Sequence, residues 1–389
     1  MKKVLAVVLA LAMIFSFAAC GEEKASAENV VKIGVYEPQS GDNGAGGKQE
    51  ILGMQYANSV KPTVTVGGTE YKVELVYADN ESSNDKAVSA ATQLIGAGCS
   101  VVLGSYGSGV SIAASDTFGE AGIPAIGVTC TNPQVTEGND HYFRICFLDP
   151  FQGTVHANLA KEKFGAKTAY CLGQLGNDYD QGLINYFSEA AKALGLTVIP
   201  ESFPEGNSDF TSYLTNAKNA GADVIFAPCS TSYAQLIIEQ AAAQGINTPL
   251  LASDTWDSNV ILAAANGKDL DIEVSTFYQE GANAEFEASF KEWINADSTN
   301  LANNGGNDTL AAVSVMGYDA YFVALAAMEN AGSVEAADIL AALPTTTFTG
   351  ITGAIQFDAI GDAVRDSAVI KKANTTTESW EFVATQTVK

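Results

Sequence analysis

The chain has 389 residues, too many for one ordinary domain and comfortable for two, and 47% of them are hydrophobic, enough for a core in each. Charged residues are few and lopsided, 45 acidic against 20 basic, for a formal net charge of −25. Phosphate binding needs clustered Lys and Arg, and no basic stripe occurs, so nucleic acid is excluded as a partner. The acidity reads as a solvated surface.

In chain order, the first segment reads as a processing signal. Lys2 and Lys3 form a charged start, and Val4 to Phe17 is an apolar run too short to span a bilayer comfortably. Phe17-Ala18-Ala19-Cys20-Gly21 resembles the lipobox of a bacterial lipoprotein signal. That resemblance implies that residues 1–19 are a signal peptide and that Cys20 becomes a lipidated first residue, anchoring the protein outside the cytoplasm. An ordinary secretory signal, with Cys20 incidental, is the alternative. Residues 20–29 are small and polar, as a tether should be. Losing Lys2 and Lys3 takes the formal charge to −27. Cys99, Cys130, Cys146, Cys171 and Cys229 are left, an odd number with no zinc spacing, so buried thiols are expected rather than a disulfide framework. No metal and no cofactor are expected.

From Val30 onward, short β-branched runs alternate with helical stretches. Strands are predicted at Val30–Tyr36, Lys72–Ala78, Ser100–Leu103 and from Pro124 to Val128. Helices are predicted near Lys48–Ser59, from Asn84 or Asp85 through Ile95, and over Val110–Glu120. The pattern restarts after Asp149, with helices at Phe151–Phe164, Tyr179–Leu194, Asp209–Ala220 and Ser232–Gln244. Between them lie strands at Thr168–Leu172, Leu196–Phe203, Val224–Ala227 and Pro249–Ala252. This alternation implies two α/β units with parallel sheets covered by helices. Helices are then expected at Glu285–Asn295, Thr309–Ala331 and Glu335–Ala342, and strands at Ile351–Phe357, Ala368–Lys372 and Trp380–Thr385.

Ligands of open α/β sheets bind beyond the carboxyl ends of the strands. There the sequence places Ser108, positioned to cap a helix beginning at Gly109 or Val110. Thr129, Cys130 and Thr131 form the neighbouring loop, and Asp254 follows the strand ending at Ala252. Taken alone, these are also what ordinary helix caps and turns look like. Glu37, just after the first strand, reads as a solvated or capping residue, with a second positive charge on a ligand as the other reading.

Several segments together resemble the type I periplasmic-binding fold and, within it, the branched-chain amino-acid-binding family of importer receptors. They are Ile33-Gly34-Val35 with Pro38 and Gly41, Ala78-Asp79-Asn80-Glu81, and Ala113-Ala114-Ser115-Asp116 after Ser108. Further on come Thr131-Asn132-Pro133, Phe143-Arg144 with Asp149, Gln152 and Gly153, Asp178-Tyr179 with Gly182, and Ala252-Ser253-Asp254 with Trp256. The resemblance implies two Rossmann-like lobes joined by three crossing strands, with a ligand cleft between them. Lobe one would comprise residues 30–148 plus 275–352, and lobe two 149–274 plus 353–389.

It further implies that Ser108, the Thr129 backbone and the Thr131 hydroxyl hold an amino acid's carboxylate and ammonium. Asp254 would face the ammonium, and Tyr179 would reach the ligand from lobe two. Phe151, Trp256 and Tyr106 are placed as cleft walls and Cys130 within the binding loop. An ABC permease is the implied partner and a monomer the implied state. The sequence departs from the family where the ligand side chain is read. Pro228-Cys229-Ser230-Thr231 stands where relatives carry aromatics, and Gly46 stands in the first loop, which predicts a roomier or more polar pocket.

Enzymatic activity has no support. His141 and His156 are the only histidines, and the Gly-rich run at Gly104–Gly109 fits neither a phosphate loop nor a nucleophile elbow. Two alternatives within the fold stay open: a ligand such as an amide or urea, and a sensor role toward a membrane receptor.

Overall fold

The computed structural model of the chain describes residues 29–387. The signal peptide, Cys20 and nearly all of the tether lie outside them. Two sheets carry the architecture. The first contains β1 (Val30–Glu37), β2 (Thr63–Val66), β3 (Thr69–Asp79), β4 (Val101–Leu103), β5 (Ala125–Gly127) and β6 (Tyr142–Arg144), in the order β2-β3-β1-β4-β5-β6. All neighbours are parallel except β2 against β3. Around it pack α1 (Gly44–Val60), α2 (Asn84–Gly96) and α3 (Ser108–Glu120). Side chains alternate along β1: Val31, Ile33 and Val35 enter one buried cluster, while Tyr36 enters the cluster on the other face. Burial on both faces is why these strands read as continuous apolar runs.

The second sheet is built in the same way. It contains β7 (Thr168–Gln174), β8 (Thr197–Phe203), β9 (Val224–Phe226), β10 (Leu250–Ala252) and β11 (Ile272–Thr276). These are covered by α4 (Asp149–Glu162), α5 (Asp178–Ala193), α6 (Thr211–Asn219), α7 (Thr231–Ala243) and α8 (Asn259–Ala265). The chain then returns to the first unit with α9 (Ala284–Asn295), α10 (Ser298–Asn303), α11 (Ala312–Ala331) and α12 (Ala336–Ala342). A two-stranded hairpin follows, β12 (Thr347–Gly350) with β13 (Gly353–Gln356). β14 (Ser367–Asn374) and β15 (Ser379–Thr387) complete the second sheet as antiparallel strands, in the order β15-β14-β11-β10-β9-β7-β8.

Several expectations need correction. The single strand expected at Ile351–Phe357 is instead one arm of the hairpin. Its turn is fixed by Asp319 of α11, whose carboxylate accepts the amide N–H groups of Ile351 and Thr352 at 2.9 and 2.8 Å. The boundary expected between residues 352 and 353 therefore falls inside that hairpin, and β11 keeps Ser275 and Thr276 in the second sheet. Strands β2, β6 and β11 were not anticipated. β2 is an edge strand of four residues joined to β3 through Gly67 and Gly68, both with positive φ as a tight hairpin needs.

The chain crosses between the sheets near Leu148, Phe277 and Phe357–Arg365. Phe147 and Phe277 stack there at 4.2 Å. Beside them the buried Arg144 pairs with Asp362 at 2.5 Å, and Arg365 donates to the carbonyl of Ile145 at 3.0 Å. Cys99, Cys130, Cys146, Cys171 and Cys229 are all free and buried. Among the described residues no helix is long and apolar enough to cross a membrane, and no His, Cys, Asp or Glu group could hold a metal ion.

Candidate functional site

The carboxyl ends of both sheets face one another, and their loops touch. Tyr106, after β4, donates its phenol to the carbonyl of Thr255 at 3.1 Å. Ser258 donates to Gln49 of α1 at 2.8 Å. Asn132, after β5, donates to the Asp178 carbonyl at the start of α5 at 2.9 Å. Beside the Tyr106–Thr255 contact lies a hollow of about 40 Å³, lined by Tyr106, Ser108, Tyr179 and Thr255 among others. That is room for a few waters and no amino acid.

Ser108 is the first residue of α3, not its cap. Gly107 occupies the cap position without a side-chain bond. The Ser108 hydroxyl instead accepts the Asn132 amide at 3.2 Å, tying the helix start to the loop after β5. A helix start presents N–H groups without intrahelical partners, a natural seat for an anion. Thr131 is fully buried and its hydroxyl has no hydrogen-bond partner. Its carbonyl receives the Asp149 amide at 3.0 Å.

The opposite wall carries Asp254, the first residue of a one-turn 3-10 helix after β10. Its Oδ1 receives Gln152 Nε2 at 2.6 Å and the Tyr179 hydroxyl at 2.8 Å. Asp254 is 1% exposed and has no salt bridge among the described residues. Burial pushes its acid up to about 6, against the pull of Gln152 and Tyr179. Asp149 at the start of α4 is pushed up by burial to about 8, with the charge of Arg144 opposing the rise.

The structure thus brings Ser108, Thr129, Thr131, Tyr106, Tyr179 and Asp254 to one interlobe region. Three expected residues do not belong there. Trp256 is fully buried in the core of the second unit, its indole N–H donating to the Cys229 carbonyl at 3.1 Å, because the 3-10 turn aims it inward. Phe151 is half-buried against Phe147 at 5.7 Å, on the packing side of α4. The Cys130 side chain turns into the first unit with Val135 and Tyr142, and its carbonyl is taken by Arg144 Nη1 at 2.9 Å. The pocket is also not roomier near Gly46. The Tyr106 ring fills that space so closely that a Cβ on Gly46 would lie 2.3 Å from it.

Sequence reasoning missed Glu50 and the role of Arg144, and named Glu37 without placing it in the interior. Glu50 of α1 is fully buried and accepts the Thr129 hydroxyl. Glu37 is also fully buried, neither solvated nor a cap, and accepts the Tyr106 amide at 2.7 Å. Arg144 reaches the carbonyls of Cys130 and Asn132 and so shapes the binding loop. Phe143-Arg144 stood in the sequence as a motif, but nothing there showed what the guanidinium would hold.

A family model described as periplasmic binding protein matches residues 30–374. The chain belongs to that family. It is 30% identical over 300 residues to the Leu/Ile/Val-binding protein homolog 1 of Brucella abortus, covering 75% of this chain and 78% of that one. A leucine-binding protein of Thermotoga maritima is 32% identical, with a TM-score of 0.80 covering 92% of this chain and 99% of that one. The branched-chain amino-acid transporter substrate-binding protein of Streptococcus pneumoniae, solved with isoleucine, is 26% identical, with a TM-score of 0.78 covering 93% and 100%.

Proposed function

We propose that this protein is the substrate-binding component of an ABC importer and closes its two units on an α-amino acid. The observation that carries the reading is Asp254. A buried carboxylate held by a phenol and an amide, with no ion-pair partner among the described residues, shares the cleft with a helix start and the unpartnered Thr131 hydroxyl. In this reading the ligand ammonium meets Asp254, and its carboxylate meets Ser108, Thr131 and the α3 amides, replacing the water that both charges lose. Closure follows because the second unit adds Asp254 and Tyr179 only when the cleft shuts. Relatives named for leucine, isoleucine and valine binding support an amino acid as ligand.

The lipobox-like run supports attachment through Cys20 on the outer face of the membrane, and a monomer that hands its cargo to a permease. Lobes of residues 30–148 plus 275–352 and 149–274 plus 353–389, adjusted by the few residues noted above, serve as the closing bodies. Asp254→Ala is expected to cost about 2–5 kcal/mol of amino-acid binding, because a buried ammonium loses its partner. Isothermal calorimetry decides it, and unchanged affinity would remove Asp254 from the site.

A further inference from the structure

The reading above uses one carboxylate, yet the cleft buries four. Glu37, Glu50, Asp149 and Asp254 are each at most 1% exposed. Five acceptor atoms around them lack a donor: Glu37 Oε1, Glu50 Oε2, both oxygens of Asp149, and Gln152 Oε1. The nearby cations are already engaged. Arg144 is held by Asp362, Thr136 and two carbonyls, and Lys371 by Asp257. Buried acceptors without donors are costly, so the shortfall calls for a ligand rich in N–H groups.

The two glutamates hydrogen-bond to residues of the site's own loops. Glu50 holds the Thr129 hydroxyl in the binding loop, and Glu37 holds the Tyr106 amide two residues before Ser108. After burial, the charge of Asp254 adds to the rise at Glu50, and the charges of Asp254, Glu50, Asp257 and Glu37 add to the rise at the Tyr106 phenol. Burial is the largest cause of the rise of both glutamate acids, and the charge of Glu50 adds to the rise at Glu37. Such a pair relaxes when a cation binds between its oxygens.

We propose that the ligand is a basic α-amino acid, its side-chain ammonium or guanidinium received by Glu37 and Glu50 while its α-ammonium meets Asp254. The proposal rests on the amino-acid reading and adds the side-chain class. It is tested by calorimetry on the purified protein with lysine, ornithine, arginine and leucine, and on Glu37→Gln and Glu50→Gln, whose folding is checked by circular dichroism and unliganded melting. The expected result is that a basic amino acid binds at least tenfold tighter than leucine. Each variant should weaken binding of that basic amino acid about 30-fold or more, as loss of a buried charge partner does. Leucine binding as tightly as the basic amino acids, or folded variants that keep full affinity for them, overturns the proposal. A 1,4-diamine that binds when no amino acid does leaves the paired-glutamate site standing and overturns the amino-acid reading instead. Binding of none of these ligands overturns both.

Discussion

Asp254, Glu50 and Asp149 share a condition that sets their pH behaviour. Each is buried without a cation, so each favours its neutral acid, with Asp254 raised to about 6 and the other two to about 8. A carboxyl raised in the folded state contributes stability that is fully present below its unfolded value near 4. That contribution is lost as pH rises through the folded value. The unliganded protein is therefore expected to melt at progressively lower temperature from pH 5 to pH 8, measured by calorimetric scanning. A bound ammonium stabilises the charged carboxylates, so binding at pH 7 should release protons. Calorimetry in buffers of different ionisation enthalpy reads that release, and none at all would place the ammonium away from these groups.

The residue scale is also where sequence reading was weakest. Residue type and position after a strand made Ser108, Thr131 and Asp254 candidates, and the family resemblance added Tyr179 and gave all four their roles. They did not show that Glu37 and Glu50 are interior, because an acidic residue reads as solvated until its neighbours are known. Trp256 failed for a related reason, since the direction of a side chain on a short turn is not set by spacing.

At the scale of elements, α1 and α11 approach so closely that glycines are needed at the contact. A Cβ on Gly53 would lie 1.8 Å from the Ser314 carbonyl, and one on Gly317 would lie 2.3 Å from the Glu50 carbonyl. Gly317→Ala is expected to destabilise the fold by about 1–3 kcal/mol through overpacking. It should also displace Glu50, so denaturant unfolding and ligand affinity should both weaken; an unchanged midpoint would show that the helices have room to separate. Helices and central strands were legible because burial on both faces of a sheet leaves long apolar runs. The β12–β13 hairpin was not, because its turn is held by Asp319 from a helix elsewhere in the chain.

At the scale of the whole molecule, closure is latched from one unit to the other. The Asp42 carbonyl accepts the Ser232 amide at 3.2 Å and the Thr231 hydroxyl at 3.1 Å, while its carboxylate takes the Ser232 hydroxyl at 2.9 Å at the start of α7. Asp42→Ala removes only the last of these, so it should cost about 1 kcal/mol, or roughly fivefold faster ligand release, measured by stopped-flow fluorescence. The two-unit plan was readable from the restart of the β–α pattern near Asp149. The contacts that shut it join residues almost two hundred positions apart and leave no local mark.

A crystal structure grown with the amino acid that gives the largest thermal shift tests the central claim most directly. The account predicts density between the units, with the α-nitrogen within hydrogen-bonding distance of Asp254 and the carboxylate beside Ser108 and Thr131. Density outside that cleft, such as in the hollow near Phe357 and Ile360, with Asp254 still bound only by Gln152 and Tyr179, would contradict it.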